Sequence, residues 1–200
     1  MHAPTTTIDL TAMKPAEAWG WLAGALQAAT TSARHGLHLF TLATVGADGQ
    51  PDARTVVLRH VDAERREIRF HTDIRSPKAA TIRRCPQVAL HWYDPVARLQ
   101  IRIAARASLH HGDDLARVAW DAAAAMSRAC YSASAPGTAV EAFPPAAVPQ
   151  AAADDAGFEN FAVVACRFDA VEVLVLHAAG HQRARLDLGC PAITWQLLAP

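Results

Sequence analysis

The densest set of reactive side chains lies in TDIRSPK, residues 72–78, where a β-branched segment hands over to a helical one. Ser76 is of the type that caps a helix, Pro77 suits the first helical position, and the free N–H groups of a first turn attract anions. Lys78, one of only two lysines, stands in that same turn. A phosphate there would meet backbone N–H groups, a hydroxyl and an ammonium. An ordinary capped helix with a solvated lysine uses the same residues.

Arg54 and Arg59 end the apolar run RTVVLR at 54–59. Strict alternation puts positions five apart on opposite faces, so both reach one ligand only if the strand bends or bulges. Solvated strand ends are the plainer reading. Gln100 and Arg102 share one face of a long strand, with Arg106 farther along, while Leu99, Ile101 and Ile103 take the other. Near the C-terminus His181, Arg183 and Arg185 stand at i, i+2 and i+4, so an extended strand projects all three one way. One histidine and two arginines with no carboxylate beside them favour an anion over a metal.

Other chemistries find little support. Cys85, Cys130, Cys166 and Cys190 are far apart and form no CxxC pair, which argues against zinc or a redox dithiol and fits a reducing cytoplasm. There is no GxSxG elbow and no Rossmann or Walker glycine motif. His110 and His111 precede Gly112 at a strand end, where a solvated turn is expected.

The elements that must position these groups follow from periodicity. Trp19, Leu22, Leu26 and Ala29 recur at helical steps after Pro15, which predicts an amphipathic helix to about Ser32. Leu37 to Val45 and Ala53 to Val61, joined by GADGQP, predict a β-hairpin. Strands are expected at Glu67–Thr72, Val88–Tyr93 and Leu99–Leu109, and one helix from Gly112 to about Ala129. Residues 132–157, rich in Pro and Ala, read as a long irregular connection. Four more strands are expected at Phe161–Cys166, Val171–Leu176, Arg183–Leu188 and Ala192–Leu198. Many short antiparallel strands with few helices predict a small barrel.

Two hundred residues predict a single domain over 1–200, with 1–36 as an N-terminal helical segment. An apolar content of 52% with 19% charged residues excludes disorder and implies a soluble globular protein. Nineteen basic residues balance nineteen acidic ones, so no global field draws the chain to nucleic acid or an anionic membrane. The first residues lack a signal-peptide pattern, and no apolar run approaches a membrane span, so a cytoplasmic location is expected.

Taken in order, FTLATVGADGQPDARTVVLR at 40–59, IRFHTDIRSPKAATIRRCPQVALHWYDP at 68–95, RLQIRIAARASL at 98–109 and the closing HQRARLDL and WQLLAP resemble the pyridoxamine 5'-phosphate oxidase-like FMN-binding split-barrel family. The resemblance covers roughly residues 37–120 and 160–200. It implies a mainly β (α+β) fold, a six- to eight-stranded antiparallel split barrel with flanking helices, paired as a homodimer with FMN at the subunit interface.

By that resemblance the strand bearing Arg54, Thr55, Val56, Val57, Leu58 and Arg59 lies along the flavin, with its backbone on the ring and its arginines toward the ribityl phosphate. His71 and Thr72 match an aromatic-Thr pair. Ser76 and Lys78 match a Ser-Arg-Lys phosphate site in which Pro77 replaces the middle Arg. Gln100 matches a ring contact, and Arg185 an Arg that reaches FMN from the partner. Departures gather on the substrate side, where Arg59 replaces a Lys and His181-Gln-Arg183 replaces an Arg-x-His pair. Arg59, Arg128, Tyr131, His181 and Arg183 are the residues expected to hold a small anionic substrate. The reading implied is an FMN-dependent oxidoreductase with no assigned catalytic side chain. A non-catalytic FMN carrier or sensor, or the same barrel holding haem or deazaflavin, are the competing readings.

Overall fold

The computed structural model describes residues 8–140, 155–178 and 180–200. Among these residues ten strands form one antiparallel sheet: β1 (Leu39–Val45), β2 (Pro51–Val57), β3 (His60–Asp62), β4 (Glu67–Asp73), β5 (Gln87–Asp94), β6 (Leu99–His110), β7 (Phe161–Arg167), β8 (Ala170–Val175), β9 (Gln182–Asp187) and β10 (Thr194–Leu198). Among the described residues four α-helices flank it: α1 (Pro15–Thr31), α2 (Pro77–Arg84), α3 (Asp114–Asp121) and α4 (Ala125–Ala129).

The hairpin between β1 and β2 pairs Leu39 with Val57 through to Val45 with Pro51. Its turn needs Gly49, whose φ of +80° is a left-handed conformation that a side chain would strain. The expected strand Ala53–Val61 divides. β2 stops at Val57, and after two residues β3 begins at His60 to pair with β4. Leu58 and Arg59 instead donate backbone N–H groups to the carbonyls of His38 and Arg69, both at 2.9 Å, which brings the end of β2 against β4.

β6 is the spine. One edge pairs with β5 over Leu99–Arg106, whereas the other pairs with β8 over Leu99–Arg102 and with β7 over Arg106–His110. One strand thus serves two partners, and the barrel splits there. β1 to β7 make the barrel proper, within the expected six to eight strands, and β8, β9 and β10 extend from the split as a wing. Phe168 fills the corner between β7 and β8 and meets Trp19 of α1 edge-on, with ring centres 6.1 Å apart.

Alternating side chains fill the barrel. Phe40 stacks on Trp92 at 4.5 Å and meets Phe70 edge-on at 5.9 Å, while the Trp92 indole N–H donates to the Leu37 carbonyl at 3.0 Å. This satisfies the one polar atom that a buried indole carries. A smaller cluster joins Trp120 of α3 to Phe161 of β7, with Tyr131 and Phe158 packed beside them.

The helix expected over Gly112–Ala129 is broken. α3 starts with Asp113, whose carboxylate accepts from the Ala116 N–H at 2.9 Å. After Asp121 the turn tightens, and Ala124 is extended at φ −60°, ψ 143° before α4 begins. Residues 122–125 are all alanine, so no side chain there selects a helix face. Burial of Trp120 and Tyr131 against the same Phe161 ring bends the chain between them. Most of the expected 132–157 connection, residues 141–154, lies outside the described residues. No helix among the described residues is long and apolar enough to cross a membrane.

Candidate functional site

Alternation along β2 sorts its residues. Arg54, Val56 and Leu58 take the inner side, with Val56 and Leu58 buried, while Thr55 and Arg59 are exposed. Arg54 and Arg59 therefore point into different surroundings, and the two arginines do not clamp one group within this chain.

Arg54 reaches back over β1, donating to the Leu42 carbonyl at 3.2 Å and the Thr44 hydroxyl at 2.8 Å, and it pairs with Asp52. Close by, α2 leaves the end of β4. Thr72 and Ser76 are buried, with hydroxyl oxygens 3.2 Å apart. Ser76 sits at the cap position but does not cap with its side chain. Its hydroxyl donates to the Asp73 carbonyl at 2.6 Å, because the tight turn from Asp73 brings that oxygen nearer than the helix N–H groups. Pro77 occupies the first helical position, as expected.

Lys78 is half-buried in the first turn of α2. Burial, and then the nearby Arg54 charge, pull its pKa below the ordinary lysine range, with Asp73 opposing them. Two cations that repel each other, two buried hydroxyls and a helix start form the donor set that a phosphate dianion requires. The residues present therefore fit the phosphate end of FMN. Asp73 and Arg75, not singled out by sequence, brace this corner. Their ion pair closes at 2.6 Å, and Arg75 also donates to the Ala133 carbonyl at 3.0 Å.

Arg59 faces a second cleft of about 640 Å³ between α3, the α3–α4 turn and the outer face of β4. His71 lines it too, edge-on to Phe161 at 4.8 Å. Burial pulls the His71 pKa down to about 4, and the Arg59 charge adds to the effect. Tyr131 is pushed up to about 12 by burial, which the same Arg59 charge opposes. Arg59, His71 and Tyr131 are thus brought together. The Tyr131 carbonyl accepts from the Asn160 amide at 2.9 Å, which fixes its backbone. Arg128 lies over the Trp120 ring, 5.7 Å from its centre.

The remaining expected residues lie on the wing. Across β6, β8 and β9 the register aligns Gln100 with Leu174 and Arg183, and Arg102 with Glu172 and Arg185. The anion expected to meet the arginine cluster is largely supplied from within. Glu172 accepts from Arg183 at 2.9 Å and from Arg102 at 3.2 Å. Sequence reading missed this carboxylate, although its place two residues into β8 puts it on that face. His181 is exposed just before β9. Arg185 on β9 is five strands from β2 in the sheet order, about 24 Å at ~4.8 Å per strand. Gln100, His181, Arg183 and Arg185 are therefore not gathered with Arg54 and Lys78 in one chain.

A split antiparallel barrel with a hydroxyl- and cation-lined corner at a helix start has the donors that a phosphate-bearing cofactor would need. Residues 18–111 match the family model for the pyridoxamine 5'-phosphate oxidase FMN-binding domain. The fold is similar to a pyridoxamine 5'-phosphate oxidase-related, FMN binding protein from Nostoc punctiforme PCC 73102. That match has a TM-score of 0.71 and 26% identity, over 90% of this chain and 96% of that one. PhzG from Burkholderia lata 383, solved with tetrahydrophenazine-1-carboxylic acid, shares the fold at a TM-score of 0.67 and 19% identity, over 94% and 93%.

Over 65 residues the chain is 38% identical to pyridoxine/pyridoxamine 5'-phosphate oxidase 2 of Arabidopsis thaliana, a stretch covering 32% of this chain and 33% of that protein. The match thus spans about a third of that curated relative. Residues 18–111 are thus similar to an FMN-binding domain of the pyridoxamine 5'-phosphate oxidase type, and the chain shares the split-barrel fold of the FMN-binding proteins built on it.

Proposed function

We propose that this protein is an FMN-dependent oxidoreductase acting on a small anionic substrate, as a homodimer in which each site draws on both chains. The observation that carries this reading is the Arg54, Thr72, Ser76 and Lys78 corner, a phosphate-suited donor set at one end of the strand whose other end opens the Arg59–His71 cleft. FMN, when bound, supplies the hydride acceptor. Arg54, Lys78 and the Thr72 and Ser76 hydroxyls would hold its phosphate, and the backbone of residues 55–58 would run along its ring. Arg59 would anchor the anionic end of the substrate. His71, uncharged at neutral pH, would add a neutral wall, and the α3 helix would exclude water from one side.

The dimer is supported by the outer sheet face. Ala43, Ala89 and Ala104 form a cross-strand row over β1, β5 and β6, a flat strip on which a second sheet can approach closely. Leu39 and Tyr93 stand exposed on the same face, at 51% and 48%. Self-complementary burial of this face about a twofold axis would carry the partner's Gln100 and Arg185 toward the cofactor that they cannot reach within their own chain.

The test is the absorbance spectrum, from near ultraviolet to red, of protein purified without added cofactor, followed by anaerobic addition of pyridoxamine phosphate. Flavin bands are expected, and their bleaching would make that compound a substrate. Persisting bands would direct the search to other donors. A colourless protein that takes up no added FMN overturns the reading.

A further inference from the structure

The cleft beside Arg59 has two unlike walls. One consists of Leu115, Val118, Ala119, the alanine turn 122–124 and Ser127, and Thr30 also lines the cleft. The other carries Arg59, His60, Arg69 and His71. Arg69 is engaged by Glu67 at 2.6 Å, and Asp114 places a carboxylate on the rim. Both histidines are held below their ordinary range, His60 by burial and then by Arg69, so neither adds charge at neutral pH. Among the described residues no carboxylate pairs with Arg59.

One unpaired guanidinium matches a carboxylate in charge and in its two parallel hydrogen bonds. A phosphate monoester approaches a dianion at pH 7, and the Asp114 carboxylate would repel it. Small side chains leave the opposite wall flat, which suits the face of a ring system, and ~640 Å³ accommodates two or three fused rings.

We infer that this cleft takes a planar aromatic monocarboxylate, its carboxylate on Arg59 and its ring against the alanine wall, in preference to a phosphorylated compound. The inference rests on the flavoprotein reading for what is done to such a compound, and not for its binding.

The test is isothermal titration calorimetry of the protein as purified with three probes of one ring system: 1-naphthoate, 1-naphthamide and 1-naphthyl phosphate. Naphthoate should bind about tenfold or more tightly than the other two, the effect of one charge-assisted contact. Arg59→Gln should remove that advantage and leave naphthamide affinity unchanged. Ala123→Arg, which adds a second cation, should shift preference toward naphthyl phosphate.

Equal or tighter binding of naphthyl phosphate by the parent protein overturns the inference. So does naphthoate affinity that ignores Arg59→Gln, or failure of every probe to bind. Flavin absorbance of the same samples separates the two readings. A yellow protein that ignores naphthoate sinks this inference alone, and a colourless one that binds it through Arg59 sinks the cofactor assignment alone.

Discussion

Lys78 is placed where an unliganded protein gains little from it, half-buried and facing another cation. Such an arrangement trades stability for anion affinity. Arg54→Ala and Lys78→Ala are each expected to weaken FMN binding by about 1.5–3 kcal/mol, the value of a charge-assisted hydrogen bond, as read by fluorescence titration. The cofactor-free Lys78→Ala protein should melt no lower than the parent. His71 carries a pH dependence. Its imidazole takes a proton near 6.5 when unfolded but only at about 4 when folded, so between these values the unfolded state binds more protons. The stability due to neutral His71 is complete above about 6.5 and is lost as the pH falls toward 4, by as much as about 3 kcal/mol at 1.36 kcal/mol per unit. Urea titrations between pH 4 and 7 should show a shallower acid loss in His71→Gln.

The largest side chain that seats the helix α3 is Trp120, with Ala116 buried beside it. Trp120 is fully buried and meets Phe161 at 5.3 Å, Phe158 at 5.7 Å and Tyr131 at 6.0 Å. Phe161 in turn touches His71, so the same contact orders a wall of the cleft. Trp120→Ala should cost about 3–5 kcal/mol in chemical denaturation, the range for removing a large buried aromatic. Its effect should extend to the cleft, with weaker ligand binding at temperatures where the barrel remains folded. Equal stability of parent and variant would show that α3 is held by something other than this cluster.

At the scale of the molecule, the exposed outer face of β1, β5 and β6 sets the expectation of a dimer. Ala104→Glu puts a carboxylate in the middle of its alanine row. Light scattering after size exclusion should report a parent dimer and a variant shifted to monomer, and the variant should retain less FMN. Ala28→Glu, on the exposed side of α1, is the matched control and should change neither. A dimer that survives Ala104→Glu with its flavin would place the interface elsewhere.

The sequence by itself determined most of the strands and the barrel class, because alternation and turn chemistry are local, but not the division of 53–61 into β2 and β3, which follows from pairing with β4. Leu39–Val45, Glu67–Asp73 and Leu99–His110 carry their pattern in consecutive residues, and Gly49 marks its turn without help from elsewhere. The Ser76-Pro77-Lys78 start of α2 was legible for the same reason. Tertiary structure alone decided what those residues meet. Glu172 lies 11 residues from Arg183 and 70 from Arg102, and only strand pairing through β8 makes it their common partner. The break in 112–129 follows from two aromatic rings seeking one Phe161, which no local alanine propensity could reveal. The division of labour between Arg54 and Arg59 likewise waits on which element covers each face of β2: α2 and Lys78 on one side, β4 and the α3 cleft on the other. Local backbone preference writes the elements, and long-range packing and charge pairing assign the side chains their roles.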